Sequence, residues 1–349
     1  MFVALRDLRA ARGRFLLITL VVTMVALLVS FLSGLTAGLA HQNISALERL
    51  SGGSVVFADT GADPSFDSSA LTGEQVQRWQ RAGGTVDPVG IGRSQAVRDG
   101  SAPTQVAIFG VDGTAFGNEV VTRPGTVVLS KAAAVDLSAT AGERVSIGDR
   151  TFTVAGIGGD DWYAHTPVVW TTLSDWQQLD PRGGAATILV ASGVPGADAV
   201  NSAAHTRTTS VDGALQAIGS YRAENGSLTL MTVMLFVISA LVIGAFFTVW
   251  TIQRTPDIAT LKALGATTTA LVRDALGQAL IVLLLGVGVG VAVTALAGAF
   301  LGGAVPFVLS AATTVVPALA LIGLGLLGAV FALRFLVTTD PLTALNNSR

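Results

Sequence analysis

Four stretches of this chain lack a charged side chain for long enough to cross a lipid bilayer. No other feature constrains the fold as tightly. They cover residues 15–40, 227–253, about 275–303 and about 311–333. A span takes about 20 apolar residues, and inside lipid each backbone group must find its partner within the segment, so each stretch reads as a transmembrane helix. The first also has the basic start and the small Gly-Leu-Ala at 38–40 of a secretory signal. A signal core holds only about 7–15 apolar residues, so this stretch is expected to stay as a span. Composition agrees: 13% of residues are charged, about half the roughly 25% of a soluble domain.

Charge then sets the orientation. Residues 41–226 hold 12 Lys/Arg against 19 Asp/Glu, a net of −7, while the rest of the chain holds 9 against 4, a net of +5. Those nine basic residues, from Arg6 to Arg349, sit at the termini, in the 254–274 loop or at a span end on one side. The positive-inside rule places that side in the cytoplasm. The expected organisation is a cytoplasmic segment 1–14, a span 15–40, an extracytoplasmic domain 41–226 and a span 227–253. A cytoplasmic loop 254–274, a span 275–303, an outer loop 304–310, a span 311–333 and a cytoplasmic tail 334–349 follow. A net charge of −2 disfavours nucleic acid as a partner.

The outer segment is long enough to fold alone. Short β-type runs occur at 54–58, 105–110, 127–130, 144–147, 151–157, 167–170 and 186–191, with helical patterns at 72–82, 173–179 and 198–217. The expected fold class is therefore a membrane α-helical protein with four transmembrane helices plus an extracytoplasmic α+β domain. Residues 144–147 and 151–157 read as a hairpin across Gly148-Asp149.

A search for catalytic groups finds none. There are no cysteines, and the histidines at 41, 165 and 205 lack zinc-ligand spacing. Asp160-Asp161 reads as a solvated turn after two glycines. Gly286-Val-Gly-Val-Gly290 lies in an apolar span, where small residues permit close helix packing. The two lysines, Lys131 and Lys262, follow Ser and Leu rather than Gly. No Gly-Lys-Ser/Thr phosphate loop exists, so ATP and Mg would have to be bound by a separate subunit. No permanent cofactor is expected.

The 254–274 loop carries a helix signature. Thr255 suits an N-cap and Pro256 the first helical position. Asp257 falls where the helix dipole favours an acid, and Gly265 is a natural C-cap. Ile258, Leu261 and Leu264 share one side, beside Lys262. Such a face needs cover, from the chain's own bundle, the lipid interface or a groove on a partner.

The run Arg254-x-x-Asp-Ile-Ala-Thr-Leu-Lys-Ala-Leu-Gly-Ala-Thr267, between a second and a third span, resembles the coupling helix of FtsX/MacB-type ABC transporter permeases. The topology and the closing Asp340-Pro-Leu-Thr-Ala-Leu345 resemble that family too, over essentially the whole chain. Four shorter motifs resemble the haem-exporter branch of that family, which works with a separate ATPase subunit. They are Ser33 to Ser45, Tyr163-Ala-His-Thr166, Ser220-Tyr-Arg-Ala-Glu224, and Ala245-Phe-Phe running on to Thr251-Ile-Gln253. The resemblance implies a homodimer of permeases with two ATPase subunits, in the bacterial cell membrane, moving haem as cargo. It implies coupling roles for Pro256, Asp257, Ile258, Leu261, Lys262, Leu264 and Gly265.

On a helix, Tyr221, Glu224, Leu228, Met231 and Leu235 share one stripe that starts polar and turns apolar. With the resemblance, Glu224 is the expected haem-iron ligand and Tyr221 the alternative. Arg222 is a candidate propionate partner, Leu228 and Met231 candidate porphyrin walls, and Phe31 and Leu32 the opposite wall. His41, just after the first span, is a further candidate ligand, whereas His165 reads as structural. The plain alternatives are an interfacial aromatic for Tyr221 and an exposed acid for Glu224. Other classes stay open: an FtsX-like regulator of a cell-wall hydrolase, or an exporter of lipid, lipoprotein or peptide.

Overall fold

A computed structural model describes residues 12–117, 123–180, 182–253, 255, 260, 262, 264–301 and 305–338. The chain divides into two compact units, Met1–Gly38 with Ser227–Arg349, and Leu39–Gly226.

In chain order, the long helix α1 (Arg12–Glu48) leads to β1 (Ser54–Ala58), α2 (Gly73–Arg81), β2 (Thr85–Arg98) and β3 (Thr104–Val111). Next come β4 (Thr126–Leu129), α3 (Lys131–Asp136), β5 (Arg144–Ile147), β6 (Arg150–Ile157) and the short β7 (Trp162–Tyr163). Then follow β8 (Thr166–Thr171), α4 (Leu173–Leu179), β9 (Ile188–Ser192), α5 (Ala197–Ala204), β10 (Thr206–Thr209) and α6 (Val211–Leu215). Three further long helices close the described chain: α7 (Gly219–Gln253), α8 (Thr268–Leu301) and α9 (Ala311–Thr338).

Helices α1, α7, α8 and α9 are each long and apolar enough to cross a membrane. Small residues let them approach. A Cβ on Gly286 would stand 2.7 Å from Val22, and one on Gly290 2.8 Å from Ala26, so these glycines admit α1 against α8. Gly288, between them, faces open space and has no such role. Gly244 on α7 and Gly328 on α9 bring two further backbones together. Phe15, Val22, Ala26, Phe247, Trp250 and Leu283 belong to the bundle's buried core. Gln278, fully buried among them, donates to Asp274 at 3.0 Å.

The outer unit is a mixed sheet in the order β10-β1-β9-β2-β3-β8-β4-β6-β5, with β2 also pairing β5. That extra pairing closes β2-β3-β8-β4-β6-β5 into a six-stranded ring. β2 serves both halves: Thr85–Val89 pairs β9 and Ala96–Arg98 pairs β5. Val106, Leu129, Val145, Phe152 and Trp176 fill one core, and Phe57, Phe109, Tyr163 and Trp170 another. The β5–β6 hairpin turns at Gly148-Asp149 as the sequence suggests, with Gly148 at φ 60°.

One strand is unanticipated and one expectation differs. β2, with Pro88, Gly90 and Gly92, is not among the expected β-type runs, yet it is the longest strand. Its glycines make room for Trp176: a Cβ on Gly90 would stand 2.1 Å from the indole. The helical pattern over 198–217 is α5, β10 and α6 instead. His205 takes the left-handed conformation (φ 50°) and ends α5, and β10 then pairs the edge strand β1. Pairing across the sheet overrides the local helical period.

Candidate functional site

The first residues of α7, the last turns of α1 and the β7–β8 turn meet within the outer unit. Tyr163 pairs Thr166, so Ala164 and His165 form a two-residue hairpin turn. Both have positive φ, 46° and 61°, as the tight turn that matches strand twist requires. Neither is Gly, Asn or Asp, so the turn holds strain. Its backbone docks on α1: Ala164 N–H donates to the Asn43 carbonyl at 3.0 Å and His165 N–H to that of Gln42 at 2.8 Å.

This places the His165 ring against Glu224. Its Nε2 stands 2.9 and 3.0 Å from the two carboxylate oxygens. Asn43, 1% exposed, completes the cluster. Its Nδ2 donates to Glu224 Oε2 at 2.9 Å and to the Leu39 carbonyl at 3.2 Å, and its Oδ1 accepts from Ser220 Oγ at 2.7 Å. Those two bonds use both amide hydrogens, so the 3.0 Å approach of Nδ2 to His165 Nε2 is contact and not donation. The arrangement suits the tautomer whose Nε2–H points to Glu224, since a carboxylate only accepts. The side chains of His165 and Glu224 keep 32% and 37% exposure, so a ligand can reach the carboxylate.

The other sequence-derived residues fall in different settings. Tyr221, one turn before Glu224, packs half-buried on the outer unit's core. Arg222 is exposed and pairs with Asp63 at 3.5 Å. His41 does not join the cluster; its Nε2 meets Asp160 Oδ2 at 3.1 Å. Leu228 and Met231 continue α7, Leu228 half-buried and Met231 exposed. Phe31 and Leu32 lie on α1, with the Phe31 ring 5.3 Å from that of Phe307. Among the described residues no group of three His, Cys, Asp or Glu could hold a metal ion.

His165, read from the sequence as structural, is satisfied by Glu224 and by the backbone of α1, and its place beside Glu224 was not anticipated. The signal was present: Asn43, His165, Ser220 and Glu224 all fall in the short motifs at 33–45, 163–166 and 220–224. Their convergence is tertiary. Asp160-Asp161, expected as a solvated turn, divides: Asp160 is exposed, while Asp161 is buried against Arg49 at 2.7 Å and Trp170 Nε1 at 3.0 Å.

At the far end of α7, Pro256, Asp257, Ile258 and Leu261 lie outside the described residues. Those described keep a helical end: Leu264 N–H bonds the Thr260 carbonyl at 3.0 Å, and Gly265 N–H that of Lys262 at 3.0 Å. Gly265 has φ 94°, the left-handed cap that glycine supplies. Lys262 is half-buried and Leu264 is 79% exposed.

Four helices long and apolar enough to cross a membrane, with a mixed α+β unit between the first two, define a membrane protein with an inserted α+β domain. Residues 15–206 match the MacB-like periplasmic core domain and residues 228–341 the FtsX-like permease C-terminal domain. The first match covers more than half the chain, and the chain belongs to the MacB-like family, as an ABC transporter permease of the HrtB/MacB/FtsX type. A relative from Staphylococcus epidermidis, "Putative hemin transport system permease protein HrtB", is 26% identical across 100% of both chains. One of the same name from Staphylococcus haemolyticus is 25% identical across 99% of both. An uncharacterized ABC transporter permease of Mycobacterium bovis is 24% identical across 99% of both. The periplasmic region of MacB from Actinobacillus actinomycetemcomitans aligns at 13% identity with TM-score 0.37, over 50% of this chain and 95% of that one.

Proposed function

We propose that this permease exports haem, taking it from the membrane and releasing it outward. Two observations support the reading: the hemin-transport names of its relatives, and, carrying it, the half-exposed Glu224 carboxylate held by His165 and Asn43 at the start of α7. Carboxylate and phenolate oxygens are both competent toward ferric iron, so Glu224 is the proposed axial ligand, Tyr221 the alternative and His41 a further candidate. Arg222 would exchange Asp63 for a propionate. Leu228 and Met231 continue the same helix with apolar surface for a porphyrin face, and Phe31 and Leu32 offer apolar surface on α1. To bind iron, Glu224 must give up part of its bonding to His165 and Asn43.

The mechanism is lateral entry between two copies of the chain, then expulsion as the helices close. A separate HrtA-like ATPase binds ATP and Mg, and the permease has no ATPase site of its own. The termini face the cytoplasm, and the 254–274 loop carries the ATPase movement. Leu264→Asp is expected to abolish co-purification of the ATPase and leave haem binding intact; retained complex formation would count against the coupling role.

The primary test is haemin titration of the purified permease, read by the Soret band. A saturable shift in the wild type, weakened at least tenfold in Glu224→Ala, is expected. No saturable shift in the wild type would sink haem as cargo. An FtsX-like regulator of a cell-wall hydrolase, or an exporter of lipid, lipoprotein or peptide, would then account for the chain.

A further inference from the structure

The outer unit carries a second concave site, a cavity of about 250 Å³ within its own fold. It opens where the two cores meet: Phe66, Ile91 and Tyr163 come from one and Trp176 from the other. Two of its charged groups are already spent. Arg182 Nε bonds Asp180 at 3.1 Å, and its Nη2 donates to the Ile91 carbonyl at 2.7 Å, so this pair is structural.

Three donors around the same space have no hydrogen-bond acceptor among the described residues, and of these Trp176 Nε1 is buried from solvent while Arg93 is exposed to it. Tyr163 is only 2% exposed, and among the described residues nothing accepts from its hydroxyl. Trp176 is 1% exposed, and its Nε1 is buried without a partner. The Arg93 guanidinium lies over the Tyr163 ring, its Cζ 5.7 Å from the centroid, with no carboxylate in ion-pair reach among the described residues. Burial pushes the Tyr163 hydroxyl well above the usual tyrosine range, so it stays a donor across the working pH range. Buried donors are nearly always satisfied, because each unpaired one has lost its water without replacement. Trp176 Nε1 is the buried donor left without an acceptor, and with the Tyr163 hydroxyl and the exposed Arg93 guanidinium around the same space it calls for an acceptor brought from outside.

The sign and size of that acceptor follow. Arg93 favours an anion. Asp67, an exposed carboxylate also lining the cavity, disfavours a second negative charge, and hence a phosphate. Phe66 and Ile91 offer apolar wall, and about 250 Å³ is just below the range of drug-sized ligand pockets. We propose that this cavity binds a monocarboxylate on a short apolar stem, its carboxylate taken by Arg93, the Tyr163 hydroxyl and Trp176 Nε1 and its stem laid against Phe66 and Ile91. Two sources share that chemistry, a propionate arm of haem and a free small carboxylate. The assignment does not depend on Glu224 or on haem as cargo.

The test is calorimetric titration of the full chain in detergent with 3-phenylpropionate and its neutral analogue 3-phenylpropanamide. Saturable binding of the acid, at least tenfold tighter than of the amide, is expected. Tyr163→Phe, which keeps the ring, and Arg93→Gln, at an exposed position, should each weaken the acid at least fivefold. Glu224→Ala should leave it unchanged, which separates this site from the haem-iron reading. Competition by haemin but not by its dimethyl ester would assign the propionate source; competition by neither would assign the free carboxylate. Absence of saturable acid binding in the wild type, an amide as tight as the acid, or indifference to both substitutions would overturn the proposal.

Discussion

His41 and His165 both stand beside an acid, and their settings differ in what surrounds the pair. His41 meets Asp160 at 3.1 Å with side chains 34% and 59% exposed, and His165 meets Glu224 at 2.9 Å with 32% and 37%. By distance and by the histidine's exposure they are close. The first pair joins two elements, α1 and the loop before β7, and its acid also accepts from Trp162 Nε1 two residues on. The second is joined through Asn43 and Ser220 to α1 and α7, and its histidine rides on a strained turn bonded to α1. What distinguishes a built site here is the number of elements that fix it, not how near or how open the two side chains are.

The largest expected effect tests what holds that loop in place. Asp161 is buried and shared by Arg49 and Trp170, so replacing its carboxylate by an amide removes the charge that pairs Arg49 and leaves a single, weaker acceptor oxygen for the two donors. Breaking a buried pair costs about 3–5 kcal/mol. Arg49 keeps 26% exposure, which reduces the expectation to about 2 kcal/mol for Asp161→Asn. Asp160→Asn, next in sequence, should stay within about 0.5 kcal/mol. Thermal unfolding of the two variants side by side gives the answer, and equal shifts would remove the distinction between the two halves of the loop.

A smaller effect separates the histidines directly. If His165 positions the Glu224 carboxylate, His165→Ala should weaken haemin binding about tenfold, or about 1.4 kcal/mol. His41→Ala should change it less than twofold. His165→Gln, which keeps a donor to the carboxylate, should recover part of the loss, a result that simple loss of packing would not give. A larger loss from His41→Ala would reverse the comparison and make His41 the better ligand candidate.

The membrane helices were legible because lipid leaves the backbone so few options: apolar length and charge asymmetry marked them without any tertiary information. Gly286 and Gly290 were legible for the same reason. The outer unit was legible only where the pattern is local, as in the 144–157 hairpin. It failed where a distant partner decides. β2 is a strand despite Pro88 and its glycines because Trp176 lies on them, and 198–217 breaks because β1 offers an edge to β10. The candidate site divides the same way. Spacing put Glu224 and Tyr221 on one stripe and the family resemblance made them candidate ligands, whereas His165 lies 59 residues away in sequence from Glu224. No periodicity reports a pairing of that kind.

The smallest expected effect concerns the turn that carries His165. Ala164 sits at φ 46°, a conformation that costs a residue with a Cβ about 1–2 kcal/mol relative to glycine. Ala164→Gly relieves that cost, but it also frees the unfolded chain by about 0.4–1 kcal/mol and removes a methyl packed on the core. The opposing effects should nearly cancel, leaving stability within about 0.5 kcal/mol. Ala164→Val adds a β-branch where the left-handed region least tolerates one, and should cost about 1–2 kcal/mol. A Val variant as stable as the Gly variant would show that the turn is not strained. Haemin affinity then reads what the strain is for. The two backbone bonds from Ala164 and His165 to α1 remain in the Gly variant, so a loss of no more than about threefold, or about 0.7 kcal/mol, is expected. A tenfold loss at unchanged stability would place the positioning of Glu224 in the rigidity of the turn itself, not in the hydrogen bonds that dock it.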